Sequence, residues 1–143
     1  MILVADASVL VGELLRKRGR DLINHTELHI VVAEHQWSET EHELGRRLTI
    51  LTDRGRVTTE RRAEIKNDIR RFVEVGAIEV IGRAAYEHLE GLARRRVPRD
   101  PNDWPTVALA VVLDAGILTG DGDFLGCGCP TWTVETLMDE LAH

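Results

Sequence analysis

Cysteine is scarce in this chain of 143 residues, which contains only Cys127 and Cys129, separated by one glycine. Two cysteines this close cannot close a long loop, and no Cys or His pair stands at the spacing of a zinc site. A disulfide framework and a structural zinc site are therefore excluded. We expect both residues to be reduced thiols.

Long hydrophobic runs are also missing. No window approaches the apolar length that crosses a bilayer, and the first residues, MILVADAS, show no charged leader before an apolar stretch. No repeat, low-complexity tract or linker divides the chain. We therefore expect residues 1–143 to form a single domain of a cytoplasmic protein that has no membrane partner.

Positive charge is in the minority, with 18 basic against 24 acidic residues and a net charge of −6. This balance argues against a protein that coats nucleic acid by bulk electrostatics. Sixteen of the basic residues are arginine, and they occur in runs such as Arg16–Arg20 and Arg94–Arg99. Such runs are typical of solvated helix faces and helix ends, with a phosphate-contacting rim as the alternative.

One apolar segment organises the C-terminal half. Residues from Trp104 to Leu113 are apolar on nearly all sides, which is typical of a buried helix, and Asp103 is placed to cap it through its carboxylate. We predict that Gly116 ends this helix and that Ile117–Thr119 is a short buried strand. Aspartates follow that strand directly, in the turn Gly120–Asp123.

The rest of the pattern alternates strands with helices. Further strands are predicted at Ile2–Ala5, Leu28–Val32, Ala77–Ile81 and Thr131–Thr133. Further helices are predicted from Val9 to Gly19 with Ser8 as its cap, and over Glu34–Leu51, Thr58–Gly76, Arg83–Arg96 and Glu135–Leu141. This order predicts an α/β fold with a mainly parallel central sheet of about four to five strands, flanked by helices.

Carboxylates follow the predicted strands at one edge of that sheet. Asp6 ends the first strand, Asp121 ends the fourth, and Asp103 begins the helix beside them. Crowded carboxylates repel one another unless a cation lies among them, and such hard oxygen ligands favour magnesium or manganese over zinc. A site of this kind can activate water against a phosphodiester, which is nuclease chemistry. Each aspartate alone could instead be a cap or turn residue.

Four short motifs follow one another along the chain: VADASVL, an acidic residue early in the second helix, DPNDWPTVALA, and LTGDGDF. Together they resemble the PIN-domain family, and within it the VapC-type ribonuclease toxins of bacterial toxin–antitoxin pairs. Each motif is weak by itself, but all four occur in the family's order over nearly the whole chain. The resemblance implies a PIN-like fold and Mg²⁺- or Mn²⁺-dependent endonucleolytic cleavage of RNA.

The resemblance also implies roles for individual residues. Ser8 matches the hydroxyl residue that supports the first aspartate, and Asp103, rather than Asp100, matches the aspartate before the apolar helix. The implied catalytic acids are Asp6, Glu39, Asp103 and Asp121, and the implied metal ligands are Asp6, Asp103, Asp121 and Asp123.

The fourth catalytic acid is the least determined. Glu39, Glu41 and Glu43 all lie in one helical stretch, and helical phase does not decide among them. We choose Glu39 by its distance from the second strand, while any of the three could be a surface charge. His35 and His42 lie nearby, and we interpret them as polar surface residues rather than ligands.

The resemblance implies protein partners as well as RNA. A cognate antitoxin and a homodimer are expected, with the helices between Thr58 and Arg96 as a possible dimer surface. Arg99 is the arginine nearest in sequence to the acids, and we expect arginines of this kind to position the RNA backbone. Trp104 and Trp132 are expected to be core aromatics. The alternative is a non-cleaving PIN-like module that binds a partner protein.

Overall fold

Five parallel strands form the central sheet of the structure, a computed structural model that describes residues 1–120 and 122–143, without the side chain of Asp123. The strands are β1 (Ile2–Ala5), β2 (His29–Ala33), β3 (Ile78–Ile81), β4 (Gly116–Leu118) and β5 (Thr131–Trp132). The helices are α1 (Ala7–Leu14), α2 (Lys17–Ile23), α3 (Glu34–Asp53), α4 (Thr59–Glu74), α5 (Glu90–Arg96), α6 (Trp104–Leu113) and α7 (Val134–Ala142).

The sheet has the order β3-β2-β1-β4-β5, and every neighbouring pair is parallel. This confirms the predicted α/β fold with helices around a parallel sheet. The central strand β1 is buried from Leu3 onward, as expected of a strand covered by helices on both faces. Ala5 pairs with Leu118 of β4, so the residues that follow these two strands emerge side by side.

Two apolar layers cover the sheet. Alternation along β1 sends Leu3 and Ala5 into one layer and Val4 into the other. The first layer packs side chains of α1, α3, α4 and α7 against the sheet, and the second packs α5 and α6. The apolar helix α6 is buried from Trp104 to Ala110, which confirms the prediction of a buried helix.

The predicted first helix is in fact two helices, because α1 ends at Leu14 and α2 begins at Lys17. Gly19 does not stop a helix; it lies inside α2, where α2 passes close to the end of α1. A Cβ at this position would clash with the backbone carbonyl of Glu13. The glycine therefore serves close packing of two backbones.

Both predicted ends of α6 are also corrected. Asp103 occupies the N-cap position, but its side chain makes no capping hydrogen bond, since a short 3₁₀ helix (Pro101–Asp103) leads straight into α6. The helix ends at Asp114, which adopts a left-handed conformation with φ +50°. Gly116 begins β4, where a Cβ would lie 3.1 Å from side-chain atoms of Leu3 and Trp132.

Of the predicted helix Arg83–Arg96, only α5 is an α-helix. Two short 3₁₀ helices, Arg83–Ala85 and Glu87–Leu89, precede it. Tyr86 separates them with φ −132°, and its buried ring packs against Trp104 at a centroid distance of 5.7 Å. Tyr86 and Ala93 of α5 are both buried, so the segment keeps one apolar side although it is not one continuous helix. Trp104 is a core aromatic, as predicted.

The two cysteines and the polarity of the helices complete the description of the fold. Cys127 and Cys129 are free, and burial together with the neighbouring thiol raises the pKa of Cys129 to about 11. Across the described residues, none of the helices has both the length and the apolar character needed to cross a bilayer.

Candidate active site

A cleft of about 460 Å³ lies at the carboxyl edge of the sheet, next to the start of α1. Its walls are formed by the first turn of α1, one side of α3 and the turn before α6. The lining residues are Asp6, Ala7, Ser8, Val11, Gln36, Glu39, His42, Glu43, Arg47, Asp100 and Asp103. We call it the acid cleft, because five carboxylates and one arginine line it.

Asp6 is the most tightly held of these acids. It is 4% exposed and caps α1, accepting a hydrogen bond from the backbone N–H of Val9 at 2.9 Å. The hydroxyl of Thr119, which follows β4, donates to Oδ2 at 2.7 Å, and the hydroxyl of Ser8 lies 3.1 and 3.2 Å from the two oxygens. Asp6, rather than Ser8 as predicted, is the cap, and Ser8 supports its carboxylate as the family resemblance implies.

Asp103 reaches the cleft from the 3₁₀ turn before α6. The buried side chain of Gln36 on α3 donates to the carbonyl of Asn102 at 3.2 Å, which ties this turn to α3. Asp100 lines the cleft as well, and its side chain accepts the backbone N–H of Asn102 at 3.1 Å. Asp103 therefore presents its carboxylate to the cleft without serving as a helix cap.

The three glutamates of α3 divide between two sides of the helix. Glu39 and Glu43 line the acid cleft, whereas Glu41 lines a different groove, between α3 and α4. The side chain of Glu39 is half exposed and lies 3.2 Å from His35. Geometry thus removes Glu41 from the cleft but leaves both Glu39 and Glu43 there.

Glu43 is engaged by two arginines. Arg46 binds its carboxylate through two nitrogens, at 3.0 and 2.6 Å, and Arg47 donates from Nε at 3.1 Å. These hydrogen bonds, with that of Arg46 first, hold the pKa of Glu43 at about 2. Glu43 is therefore an anion that already has cationic partners, while Glu39 faces a histidine.

Two predicted site residues lie outside the described part of the chain: Asp121, and the side chain of Asp123. The backbone of Asp123 belongs to a 3₁₀ helix, Gly122–Phe124. His42 lines the cleft and His35 is the neighbour of Glu39. Among the described residues, the arginine on the cleft wall is Arg47 and not Arg99.

Sequence reasoning missed Gln36, Arg47 and the specific role of Thr119. Thr119 stands in the LTGDGDF motif, so its place after a strand was a usable signal for a contact with the end of the neighbouring strand. Nothing in the sequence marks Gln36 as buried, because it lies in a polar stretch. Its burial depends on the turn before α6, which is 66 residues away.

The donors of the acid cleft are the type that hard divalent cations prefer. Carboxylate oxygens predominate, with amide and hydroxyl oxygens beside them, and no cysteine lines the cleft. Within residues 1–120 and 122–143, excluding the side chain of Asp123, no three His, Cys, Asp or Glu side chains are close enough together to hold a metal ion. The acids thus share a cleft without forming a tight cluster, as expected of mutually repelling anions.

Comparisons with known proteins agree with this fold. The solved structures include the crystal structure of PAE2754 from Pyrobaculum aerophilum, which matches with a TM-score of 0.66 and 20% sequence identity, over 99% of this chain and 90% of that one. At this identity the likeness shows the fold alone. The comparison with curated proteins found no match.

The comparison with protein families is more specific. A family model described as PIN domain matches residues 4–142, which is nearly the whole chain. PIN domains are generally nucleases and typically use divalent metals. The chain therefore belongs to the PIN-domain family.

Proposed function

We propose that this protein is a metal-dependent endoribonuclease. The observation that carries the proposal is the convergence of Asp6, Glu39 and Asp103, from three segments far apart in sequence, on one cleft at the carboxyl edge of a parallel sheet. Ligands of open α/β sheets bind at this edge. Family membership supports nuclease chemistry, and the acidic lining supports a cation in the cleft.

By resemblance to the family, Mg²⁺ or Mn²⁺ would be held by Asp6, Glu39 and Asp103 together with Asp121 and Asp123, and an ion in the cleft would offset the repulsion that keeps the described carboxylates apart. When bound, such an ion lowers the pKa of a coordinated water and offsets the charge of a phosphodiester. Both ions accept oxygen ligands of this kind, so we propose no preference between them.

The protein's own contribution is to orient the acids before substrate arrives. The hydroxyls of Ser8 and Thr119 and the N–H of Val9 fix the carboxylate of Asp6 while it is ionised, because all three donate to it. Gln36 fixes the turn that carries Asp103. This preorganisation is what a site needs if positioning is to lower a reaction barrier.

We further propose that the protein is the toxin of a bacterial type II toxin–antitoxin pair, as its resemblance to VapC-type proteins implies. Such toxins pair with small proteins that are often encoded next to them. Co-expression with the neighbouring reading frame, followed by copurification and sedimentation, tests both the cognate antitoxin and the expected homodimer.

Calorimetric titration with Mn²⁺ is the first test, because it needs no knowledge of the RNA target. Wild type should bind Mn²⁺, and Asp103→Asn should lose at least about tenfold in affinity. Asparagine has the size of aspartate and is also accepted at helix N-caps, so this variant should fold normally. Glu41→Gln, which removes an acid outside the cleft, is the matched control and should bind like wild type.

Cleavage of a structured RNA pool is the second test. Asp6→Asn should lose more than about a hundredfold in rate and still fold, since asparagine also caps helices. Unchanged cleavage by Asp6→Asn would overturn the nuclease assignment of this cleft. Absence of both Mn²⁺ binding and cleavage in wild type would favour the non-cleaving module that binds a partner protein.

A further inference from the structure

We propose that single-stranded RNA leaves the acid cleft along α1, through a second cleft whose positioning residue is Arg16; this inference rests on the proposed ribonuclease function. The second cleft has a volume of about 650 Å³, and its lining includes Ser8, Gly12, Glu13, Arg16, Arg18 and Glu135. We call it the α1 groove.

The α1 groove continues the acid cleft directly. Ser8, whose hydroxyl contacts Asp6, lines both of them. From there the groove follows α1 from its first turn to Arg16, just beyond its end. The opposite wall is the start of α7. A strand lying in the groove therefore begins beside the proposed catalytic acid.

Charge differs sharply between the two clefts. The acid cleft carries five carboxylates against Arg47, which is itself paired with Glu43. In the α1 groove, Arg18 is paired with Glu13 at 3.0 Å and with Glu135 at 3.8 Å. Two arginines and two glutamates of the described lining therefore balance, against four excess negative charges in the acid cleft, and Arg16 is the arginine of the groove that has no ion-pair partner within the described residues.

Arg16 is available for a phosphate. It is exposed, and no ion pair or side-chain hydrogen bond to it exists within the described residues. The eight residues of α1 span about 12 Å, which is too far for Arg16 to share the phosphate bound at Asp6. Arg16 therefore contacts a neighbouring phosphate and fixes the position of the strand, without touching the reacting atoms.

The groove also has room for the strand at its middle. Gly12 lies midway between Ser8 and Arg16 on the groove wall, and a Cβ built there meets no atom within 4 Å. A side chain added at this position enters the groove without a clash. The same holds for Gly45 on α3, which lines the separate groove between α3 and α4 and so provides a matched control.

The first experiment removes the charge. Fluorescein-labelled single-stranded oligouridine is titrated with protein in the Asp103→Asn background, so that the RNA stays intact, at several salt concentrations. Arg16→Gln should weaken binding about three- to tenfold and reduce the salt slope by about 0.7, the value for one phosphate contact on a single strand. Arg56→Gln removes an exposed arginine from a turn elsewhere and should change neither.

The second experiment changes charge at the middle of the groove. Gly12→Lys should tighten RNA binding and Gly12→Glu should weaken it, each by about three- to tenfold. Gly45→Lys and Gly45→Glu carry the same net charges and should bind RNA like the parent protein. Both glycines lie inside helices, where replacing glycine favours the helix, so all four variants should fold.

The outcomes separate this inference from the proposed function. The α1 groove is not the RNA path if Arg16→Gln and Arg56→Gln change RNA affinity equally. The same conclusion follows if the Gly12 variants and the Gly45 variants change RNA affinity equally. Either result would overturn the groove even if wild type binds Mn²⁺ and cleaves RNA. Position-dependent effects together with a wild type that does not cleave would support the groove as an RNA site and overturn only the catalytic assignment. No RNA binding by any variant would overturn the groove.

Discussion

The two sides of α3 present different surfaces. One side contributes Gln36, Glu39, Glu43 and Arg47 to the acid cleft. The other contributes Trp37, Glu41, Leu44, Gly45 and Leu48 to a mainly apolar groove of about 300 Å³ against α4. Glutamates two residues apart thus face different solvent spaces, because a helix turns by about 100° per residue.

This division separates stability from chemistry on a single helix. Leu44 and Leu48 are buried in the core layer shared with α1 and α4. Glu39 and Glu43 are partly exposed and add little to that core. Changes on the apolar side should therefore alter folding, and changes on the acidic side should alter metal binding.

The largest expected effect is on the apolar side. Leu48→Ala removes a side chain that is 1% exposed, and it should lower the free energy of unfolding by roughly 2–5 kcal/mol in urea denaturation. Mn²⁺ affinity of the folded fraction should stay the same. Glu39→Gln, the matched change on the acidic side, should alter stability by less than about 0.5 kcal/mol. Equal losses of stability would contradict the division.

The next effect sharpens the choice of the fourth acid. Calorimetric titration of Glu39→Gln should show at least about a tenfold loss of Mn²⁺ affinity, because this carboxylate faces the cleft without an arginine partner. Glu43→Gln should have a smaller effect, since two arginines already hold that carboxylate. If the loss is larger for Glu43→Gln, the assignment of Glu39 is wrong. Glu41→Gln should have no effect.

The smallest effect concerns the ion pairs of Glu43. Arg46→Gln should raise the pKa of Glu43 from about 2 toward its ordinary value of 4.5, because the largest cause of the depression is the hydrogen bond from Arg46. Titration of the side-chain carboxyl by ¹³C NMR measures this directly. Arg54→Gln, at the end of the same helix, is the control and should leave that pKa unchanged.

The sign of the accompanying pH effect follows from the lowered pKa. A carboxyl whose pKa is lower in the folded protein stabilises it above the unfolded value, and loses that contribution as the pH falls toward the folded value. In wild type the contribution of this ion pair should be complete above about pH 4.5 and should be lost progressively as the pH falls to about 2, whereas Arg46→Gln, with a smaller pKa difference, has less of it to lose. A pKa that stays near 2 in the variant would assign the depression to Arg47.

Sequence patterns could predict much of this fold because its strands are short apolar runs between helical segments. Ile2–Ala5 has the predicted bounds, and the carboxylates of Asp6 and Asp103 line the same cleft, as a parallel sheet requires. The predictions that are wrong concern positions whose conformation depends on contacts between distant segments. The sequence pattern predicts helix ends at Gly19 and Gly116, yet a Cβ at either position would crowd the backbone or side chain of another segment, and a single sequence does not contain that information.

Side-chain roles at the site show the same limit. A capping aspartate was predicted at α6, where Asp103 does not cap, and a capping serine at α1, where Asp6 caps instead. Asp and Ser are both good caps, so propensity does not choose between neighbours. At α1 the hydroxyl of Thr119 also donates a hydrogen bond to the carboxylate of Asp6, and this contact favours Asp6 over Ser8 as the cap.

The position of β1 at the centre of the sheet affects how the chain folds while it is being synthesised. Asp6 is synthesised 113 residues before Thr119, whose hydroxyl binds it. Until β4 follows, one edge of β1 has no partner, and such unpaired edges expose a growing chain to aggregation. The acid cleft therefore assembles only after β4 and Thr119 have been synthesised, and a shorter nascent chain carries Asp6 without the rest of the site.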